Sequence, residues 1–290
     1  MPTAVRSPVV AGAFYPADAA ALTQTIEECF SGPRGPGQLP PRHRSVERRI
    51  RAVISPHAGF QFSGAIAANG FAVVAAERPP SSVLLLGFNH HGRGAPAALS
   101  ARDWSTPLGR VPVDADLVHA LNHRPIEIDE SSHAREYSIE VQLPFLQYVL
   151  PFPRIACLNV SMGPNAFLAD VAAVIRNGIA GRDVLLVAST DFSHYIPAEE
   201  ARRLDRLAID QIEKRDPHGL YSTVVGEGLS MCGIAPTTTL LWATHEESLS
   251  ARLLRWGHSG EVEPMDDVVA YASLVLESEV PLPPSPPAAL

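Results

Sequence analysis

The sequence has few cysteines and no long apolar run, and each absence excludes a class of protein. Its three cysteines, Cys29, Cys157 and Cys232, are scattered along 290 residues, which is too sparse for a disulfide framework. No apolar run reaches the roughly 18 residues that span a bilayer, and the amino-terminal segment lacks the pattern of a secretory signal. We therefore expect a cytoplasmic protein without a membrane segment.

Positive charge is also in deficit. Lysine and arginine together number 23 against 31 aspartates and glutamates, which gives a formal net charge of −8. Such a balance does not favour a broad phosphate-binding surface, so nucleic acid is not an expected partner. The composition, 46% hydrophobic and 19% charged, is typical of a folded globular protein. The expected partner is a small molecule or a peptide.

The common catalytic signatures are missing as well. The sequence contains no GxxxxGK[ST] loop, no GxGxxG after a strand, no HExxH, no GxSxG and no CxxC, which are the signatures of several nucleotide, zinc, serine and thiol sites. The glycine-rich stretch "SGPRGPG" is not a phosphate cradle, because its prolines lack amide donors. Any site must therefore be assembled from residues that lie far apart in the sequence.

Strand and helix patterns alternate along most of the chain. Short apolar runs such as "SSVLLLG" predict buried strands, and stretches such as "AEEARRLDRLAIDQIEK" predict amphipathic helices. This alternation favours an α/β fold with a mixed, mostly parallel sheet covered on both faces. We expect one domain over residues 1–277, with residues 1–49 as a lead-in segment packed on it. The proline-rich residues 278–290 are expected to be disordered.

Three of the predicted strands end in histidine or aspartate. "RAVIS" is followed by His57, "SSVLLLG" by His90 and His91, and "DVLLVAST" by Asp191 and His194. Ligands of open α/β sheets bind in the crevice outside the carboxyl ends of the strands. The sequence therefore predicts a functional site at this edge of the sheet.

Two imidazoles and one anionic side chain are a common metal-binding set that leaves coordination positions open. Cys232 could supply a thiolate, with Gly233 allowing close backbone approach, or it could be a small buried apolar side chain. Asp191 could orient His194 as an acid–base pair, or cap the helix that follows. The other histidines are expected to be solvated: His43, His119, His123, His133, His218, His245 and His258.

Several segments occur together in the order found in one known family. The stretches "VAGAFYP", "ISPHAGFQFSG", "LGFNHHG", "YSIEVQLPFLQ", "STDFSHY", "MCGIAP" and "VVAYASLVL" resemble the Memo-like family. The likeness extends over nearly the whole chain. This family is related to the class III extradiol ring-cleavage dioxygenases. The resemblance implies a three-layer α/β/α sandwich with a pocket at the sheet edge.

The resemblance also implies roles for individual residues. The metal ligands of the family fall on His57, His90 and Cys232, and its pocket acid–base residues fall on Asp191 and His194. Cysteine here replaces the glutamate ligand of the ring-cleaving dioxygenases, which favours softer metals such as Cu(I) or Zn without excluding Fe(II). Three further residues are expected to support the ligands without binding the metal: Tyr137, Glu140 and His91. Tyr137 stands where the family usually carries the histidine of "EHSIE".

Three functions are open on this basis. The first is a metal-dependent redox enzyme of the extradiol type, which would use Fe(II) or copper and act on an aromatic diol. The second is a non-catalytic adaptor whose pocket binds a metal or a peptide, and the third is a zinc hydrolase in which the metal activates water. Bacterial and archaeal members of the family belong to the AmmeMemoRadiSam gene set, which makes a radical SAM protein a candidate partner.

Overall fold

The computed structural model describes residues 5–41 and 44–284. A nine-stranded mixed sheet forms its centre, and a three-stranded sheet lies beside it. The strands of the described residues are β1 (Val5–Arg6), β2 (Ile50–Ser55), β3 (Ser82–Phe88), β4 (Ala97–Ser100), β5 (Asp103–Thr106), β6 (Gly109–Val111), β7 (Glu127–Ile128), β8 (Ile155–Val160), β9 (Val184–Ser189), β10 (His194–Pro197), β11 (Leu249–His258) and β12 (Asp267–Ser278). The α-helices are α1 (Ala19–Ser31), α2 (Ala65–Ala75), α3 (Ala115–Leu121), α4 (Leu143–Val149), α5 (Asn165–Ile179), α6 (Ala198–Glu213), α7 (Pro217–Gly226) and α8 (Ile234–Thr244).

The centre of the large sheet is parallel. Strands β2, β9, β3 and β8 are hydrogen-bonded in that order, all parallel, and nearly every residue in them is buried. Such double-sided burial explains why these strands are almost continuously apolar in the sequence. Antiparallel strands flank the four, with β12 beside β2 and β4 beside β8.

Helices cover both faces of the sheet. Neighbouring residues of β2 point to opposite faces, so Val53 packs with residues of α1, α2 and α4, whereas Ile54 packs with residues of the other five helices. Each face therefore has its own hydrophobic core. The mixed sheet and its two helical layers confirm the predicted three-layer α/β/α sandwich.

Local signals in the sequence account for several helix starts. Asp18 and Asp114 cap α1 and α3, because their carboxylates accept backbone N–H bonds from Ala21 and Leu117. Pro144 occupies the first turn of α4, which begins after a 3₁₀ turn at Glu140–Gln142. Within the described part of the chain no helix is long and apolar enough to cross a membrane.

Described residues near both ends of the chain pack on the domain. Helix α1 contacts α2 and α4, and the last strand, β12, continues to Ser278. Beyond it, the amide of Leu282 donates a hydrogen bond to the Arg48 carbonyl at 2.7 Å. The remainder of the proline-rich segment, residues 285–290, lies outside the described residues, as does His43.

One expectation about the histidines is wrong. His133 is fully buried rather than solvated. Its Nε2 lies 2.9 Å from the Ala98 carbonyl oxygen, and the Asn159 amide donates to its Nδ1 at 3.1 Å. Both ring nitrogens are therefore satisfied without water, and burial lowers the pKa of His133 to about 4.

Candidate metal centre

Three adjacent parallel strands bring the candidate residues to one edge of the sheet. Strand β9 lies between β2 and β3, so the turns that follow these strands are neighbours. His57 follows β2, His90 follows β3, and Asp191 follows β9. The juxtaposition is a direct consequence of the parallel order, because parallel strands present their carboxyl ends at the same edge.

His57, His90 and Cys232 come together at this edge. Each offers one ligand atom, and the three atoms all lie within 4.8 Å of one another. The closest approach is 3.3 Å, between His57 Nε2 and Cys232 Sγ. Gly233 permits it, since a Cβ there would lie 2.3 Å from Thr190 Cβ. The close backbone approach expected of this glycine is confirmed.

Hydrogen bonding fixes which nitrogen of His57 carries the proton. The Ser189 hydroxyl donates its one hydrogen to the Ser138 carbonyl at 2.7 Å and accepts a bond from Gln142 Nε2 at 2.8 Å. It must therefore accept from His57 Nδ1, which lies 2.9 Å away. His57 Nε2 is left with a free lone pair that faces Cys232. Burial lowers the pKa of His57 more than the Asp191 carboxylate raises it, so the ring is neutral.

Glu136 orients His90, whose Nδ1 is engaged by a side chain just as the Nδ1 of His57 is. The carboxylate lies 3.0 Å from His90 Nδ1 and also accepts the His90 amide at 2.8 Å. Burial raises the pKa of Glu136, but hydrogen bonds and charge from His90 outweigh burial and lower the pKa to about 2. An ionised carboxylate can only accept, so His90 Nδ1 carries the proton and Nε2 is free.

These donors fit a transition metal. Two imidazoles whose Nδ1 atoms are held by other side chains, together with one thiol, are the ligand types that suit zinc, copper and iron. Burial and the Asp191 carboxylate raise the pKa of the Cys232 thiol, although its sulfur accepts the Asp191 amide at 3.2 Å. Such a thiol ionises when a bound cation offsets the cost of burying its negative charge.

Aromatic side chains wall the centre. Tyr137 stacks on His90, with ring centroids 5.1 Å apart and planes 7° from parallel, and meets His57 edge-on at 5.9 Å. Phe14 and Phe88 pack against Tyr137 and His90 respectively. Tyr137 was expected to support the ligands, and it does contact both imidazoles.

The expected pairing of His194 with Asp191 is not what the structure shows. The carboxylate of Asp191 accepts the His57 amide at 2.8 Å. The ring of His194 is held by another group, the Ser230 carbonyl, which lies 2.9 Å from Nδ1. Nor does Asp191 cap a helix, because the strand β10 intervenes before α6. The orientation of His194 by Asp191 is therefore wrong, although both residues lie next to the candidate ligands.

Two other expected supporting residues lie outside the centre. His91 is exposed, and its Nε2 contacts the Arg135 carbonyl at 3.1 Å. Glu140 is fully buried, but it forms an ion pair with Arg6 and accepts the Tyr15 hydroxyl at 2.7 Å. Its carboxylate thus fastens the amino-terminal segment instead of supporting a ligand. Both expectations are corrected.

Glu136 is the supporting residue that the sequence did not single out. It lies four positions before Glu140 in "EYSIE". A metal-binding histidine usually gives its second ring N–H to a carboxylate or carbonyl, so an acidic residue near the candidate ligands was the available signal. Nothing local in the sequence separates the two glutamates.

We expect Glu136→Gln to weaken metal binding about 10- to 100-fold. A neutral amide in place of the carboxylate removes the negative charge beside the His90 Nδ1–H, which makes the ligating Nε2 less basic. Titration with Zn²⁺ or Co²⁺ against a chromophoric competitor measures the effect. Glu127→Gln removes the same charge at an exposed position of β7 and should bind as the unchanged protein does. Equal affinity of Glu136→Gln would contradict the assignment.

Comparison with known proteins points to one family. The family model described as Memo-like protein matches residues 6–275. A MEMO1 family protein of Thermotoga neapolitana is 40% identical over 280 residues, covering 94% of this chain and 99% of that protein. Another, from Methanothermobacter thermautotrophicus, is 38% identical over 277 residues, covering 93% and 99%. The crystal structure of an uncharacterized protein from Escherichia coli K12 has a similar fold, with TM-score 0.51 and 12% identity over 78% of this chain and all of that one.

Proposed function

Because this chain belongs to the Memo-like family, and because its two free imidazole nitrogens and one thiol meet at the sheet edge, we propose that it is a metal-dependent redox enzyme of the extradiol-dioxygenase type. His57, His90 and Cys232 would hold Fe(II) or copper, with zinc as the other candidate. The observation that carries the proposal is that the ligand atoms of His57, His90 and Cys232 lie within 4.8 Å of one another, while Nδ1 of each imidazole is held by another side chain.

The chemistry proposed is ring cleavage of an aromatic diol by O₂. One ring C–C bond beside a hydroxyl-bearing carbon breaks, and both atoms of O₂ enter the product. The bound metal would supply redox activity and open coordination positions for substrate and O₂. The protein would supply a dry, aromatic-walled setting, since Tyr137 and Phe88 pack against the ligands.

His194 is the proposed acid–base residue. The Ser230 carbonyl can only accept a hydrogen bond, so the His194 Nδ1 that lies 2.9 Å away carries the proton. Its Nε2 is then free to take a proton from a substrate hydroxyl and to return it later. Asp191 would act through His57, whose amide it holds, and would add negative charge beside the cation.

The test is metal binding by purified protein that has been loaded anaerobically with Fe(II), Cu(I) or Zn(II). We expect one ion per chain. Cys232→Ala should weaken binding of that ion more than tenfold, because losing a residue that only supports a ligand already costs about tenfold or more. Cys29→Ala, at a buried cysteine of α1, is the matched control. Binding that survives Cys232→Ala, or no binding of any of the three ions, would refute the proposal.

A second candidate is a non-catalytic adaptor that binds a metal or peptide in the same pocket. The absence of the expected His194–Asp191 hydrogen bond favours it, because a catalytic imidazole is commonly oriented by a carboxylate. Oxygen consumption with a panel of catechols separates the two. Uptake that depends on His194 supports the enzyme, whereas metal binding without uptake supports the adaptor. Zinc-dependent esterase activity would instead support a hydrolase.

We also propose a cytoplasmic location and action together with a radical SAM protein. The location is supported by the scarcity of cysteine, and the partner by membership of the Memo-like family. Co-purification of the two proteins from anaerobically grown cells of the source organism tests the partnership.

A further inference from the structure

Tyr195 combines a strained backbone with an exposed ring. Its φ is 57°, a left-handed conformation that brings Cβ close to the following carbonyl in any L-residue with a side chain. Arg215 has the same φ, and its guanidinium is held by the carbonyls of Leu249 and Thr244. The Tyr195 hydroxyl has no hydrogen bond to a described residue, and Tyr195 is 76% exposed.

The strain arises from a β-bulge. In the antiparallel pair β10–β12, His194 lies opposite Val269 and Ile196 lies opposite Val268. Two steps along β10 therefore match one step along β12, and Tyr195 is the extra residue. When the extra residue of a bulge is left-handed it is ordinarily glycine, and bulges next to sites serve to re-aim a side chain. The presence of tyrosine here means that the ring is retained in spite of the backbone cost.

Contacts on the amino-terminal side hold the bulge in place. The amide and hydroxyl of Ser193 both donate to the buried Asp205 carboxylate, at 3.0 and 2.6 Å. The amide of His194 donates to the Ser230 hydroxyl at 2.8 Å. A strained residue persists only when its surroundings over-determine it, and these bonds provide that constraint independently of the ring.

The Tyr195 ring lies beside the proposed acid–base residue. Its centroid is 5.9 Å from that of His194, whose own ring is held by the carbonyl of Ser230, two positions before the candidate ligand Cys232. Tyr137 stacks on His90. One aromatic ring is thus packed against a candidate ligand, and a second is uncovered beside the proposed acid–base residue.

We propose that Tyr195 is a specificity-determining residue whose exposed ring stacks on a planar aromatic ligand bound beside His57, His90 and Cys232. This inference rests on the proposed function and narrows its ligand to a flat, unsaturated ring. Covering the Tyr195 ring would remove its apolar surface from water, and stacking of two rings adds to that gain. A ligand of the same charge without a ring would gain nothing from Tyr195.

The test compares Tyr195→Asn with Tyr195→Phe in protein loaded anaerobically with Fe(II). Asparagine tolerates the left-handed region and removes the ring, whereas phenylalanine keeps the ring. The aromatic probe is 4-nitrocatechol, and oxalate is a metal-binding probe without a ring. We expect Tyr195→Asn to raise the Kd for 4-nitrocatechol about tenfold. The Kd for oxalate should stay the same in all three proteins, and Tyr195→Phe should bind 4-nitrocatechol within about twofold of the unchanged protein.

The melting temperature of each variant separates recognition from structure. Tyr195→Asn should melt no lower than the unchanged protein, because it relieves backbone strain and gives up little packing from a ring that is 76% exposed. Equal Kd values for 4-nitrocatechol in that variant would overturn the inference and leave the proposed function standing. A parallel loss of oxalate binding, or a lower melting temperature, would also overturn it, by showing that Tyr195 supports the centre or the fold. If the unchanged protein binds no 4-nitrocatechol, both the inference and the proposed function fail.

Discussion

The His194→Ala variant is expected to turn over a catechol at least about 100-fold more slowly than the unchanged protein when both carry the same metal. Half-buried His194 is bound by its Nδ1 to the Ser230 carbonyl, so its Nε2 is the ring nitrogen left to exchange a proton with the substrate. Alanine removes that base and leaves the three ligand side chains in place. Oxygen uptake under saturating catechol measures the change in kcat.

Metal affinity must be measured as a control, because a slower rate could also result from loss of the metal. His194 is not one of the three grouped ligands, so the His194→Ala protein should bind its metal within about twofold of the unchanged protein. His119→Ala, at an exposed position of α3, should leave both rate and affinity as they were. A normal rate in His194→Ala would remove His194 from the chemistry. A loss of rate together with metal would make it a ligand or a structural residue instead.

The central strands were predictable because strands that are buried on both faces consist mostly of apolar residues. β2, β3 and β9 are buried on both faces, so their sequences are apolar without alternation, and the polar residues that end them stand out. Their order in the sheet was not predictable in the same way, since pairing is decided by packing of the whole domain. Short strands such as β7 (Glu127–Ile128) carry no such signal, because both residues of β7 are exposed.

The two histidine ligands were predictable because each follows a buried strand, and Cys232 was chosen through the resemblance to the Memo-like family, whereas the residues that orient the ligands were not predictable. The Asn159 that satisfies His133 lies 26 positions away, and the Ser189 that orients His57 lies 132 positions away. Such partners are brought together only by the fold. The same limit explains the choice of Glu140 over Glu136, which occupy one short segment and face different neighbours.

Glu140→Gln is expected to lower the free energy of unfolding by about 3–5 kcal/mol, the usual cost of breaking a buried ion pair by removing one partner. Arg6 is 6% exposed and Glu140 is fully buried, so the guanidinium would stay out of water without its counter-charge. The same carboxylate also accepts the amides of Val9 and Val10, and one of these bonds would be lost. Urea unfolding of the metal-free protein measures the change.

Two further variants decide whether that loss belongs to the pair. Glu227→Gln removes the same charge at an exposed position and should change stability by less than about 0.5 kcal/mol. Arg6→Met with Glu140→Gln should cost less than the sum of the two single changes, because the double variant leaves no charge buried alone. Additive losses would mean that the two side chains act separately. Arg6 also donates to the carbonyl of Glu136, so metal binding by folded Glu140→Gln measures how far the pair supports the residue that orients His90.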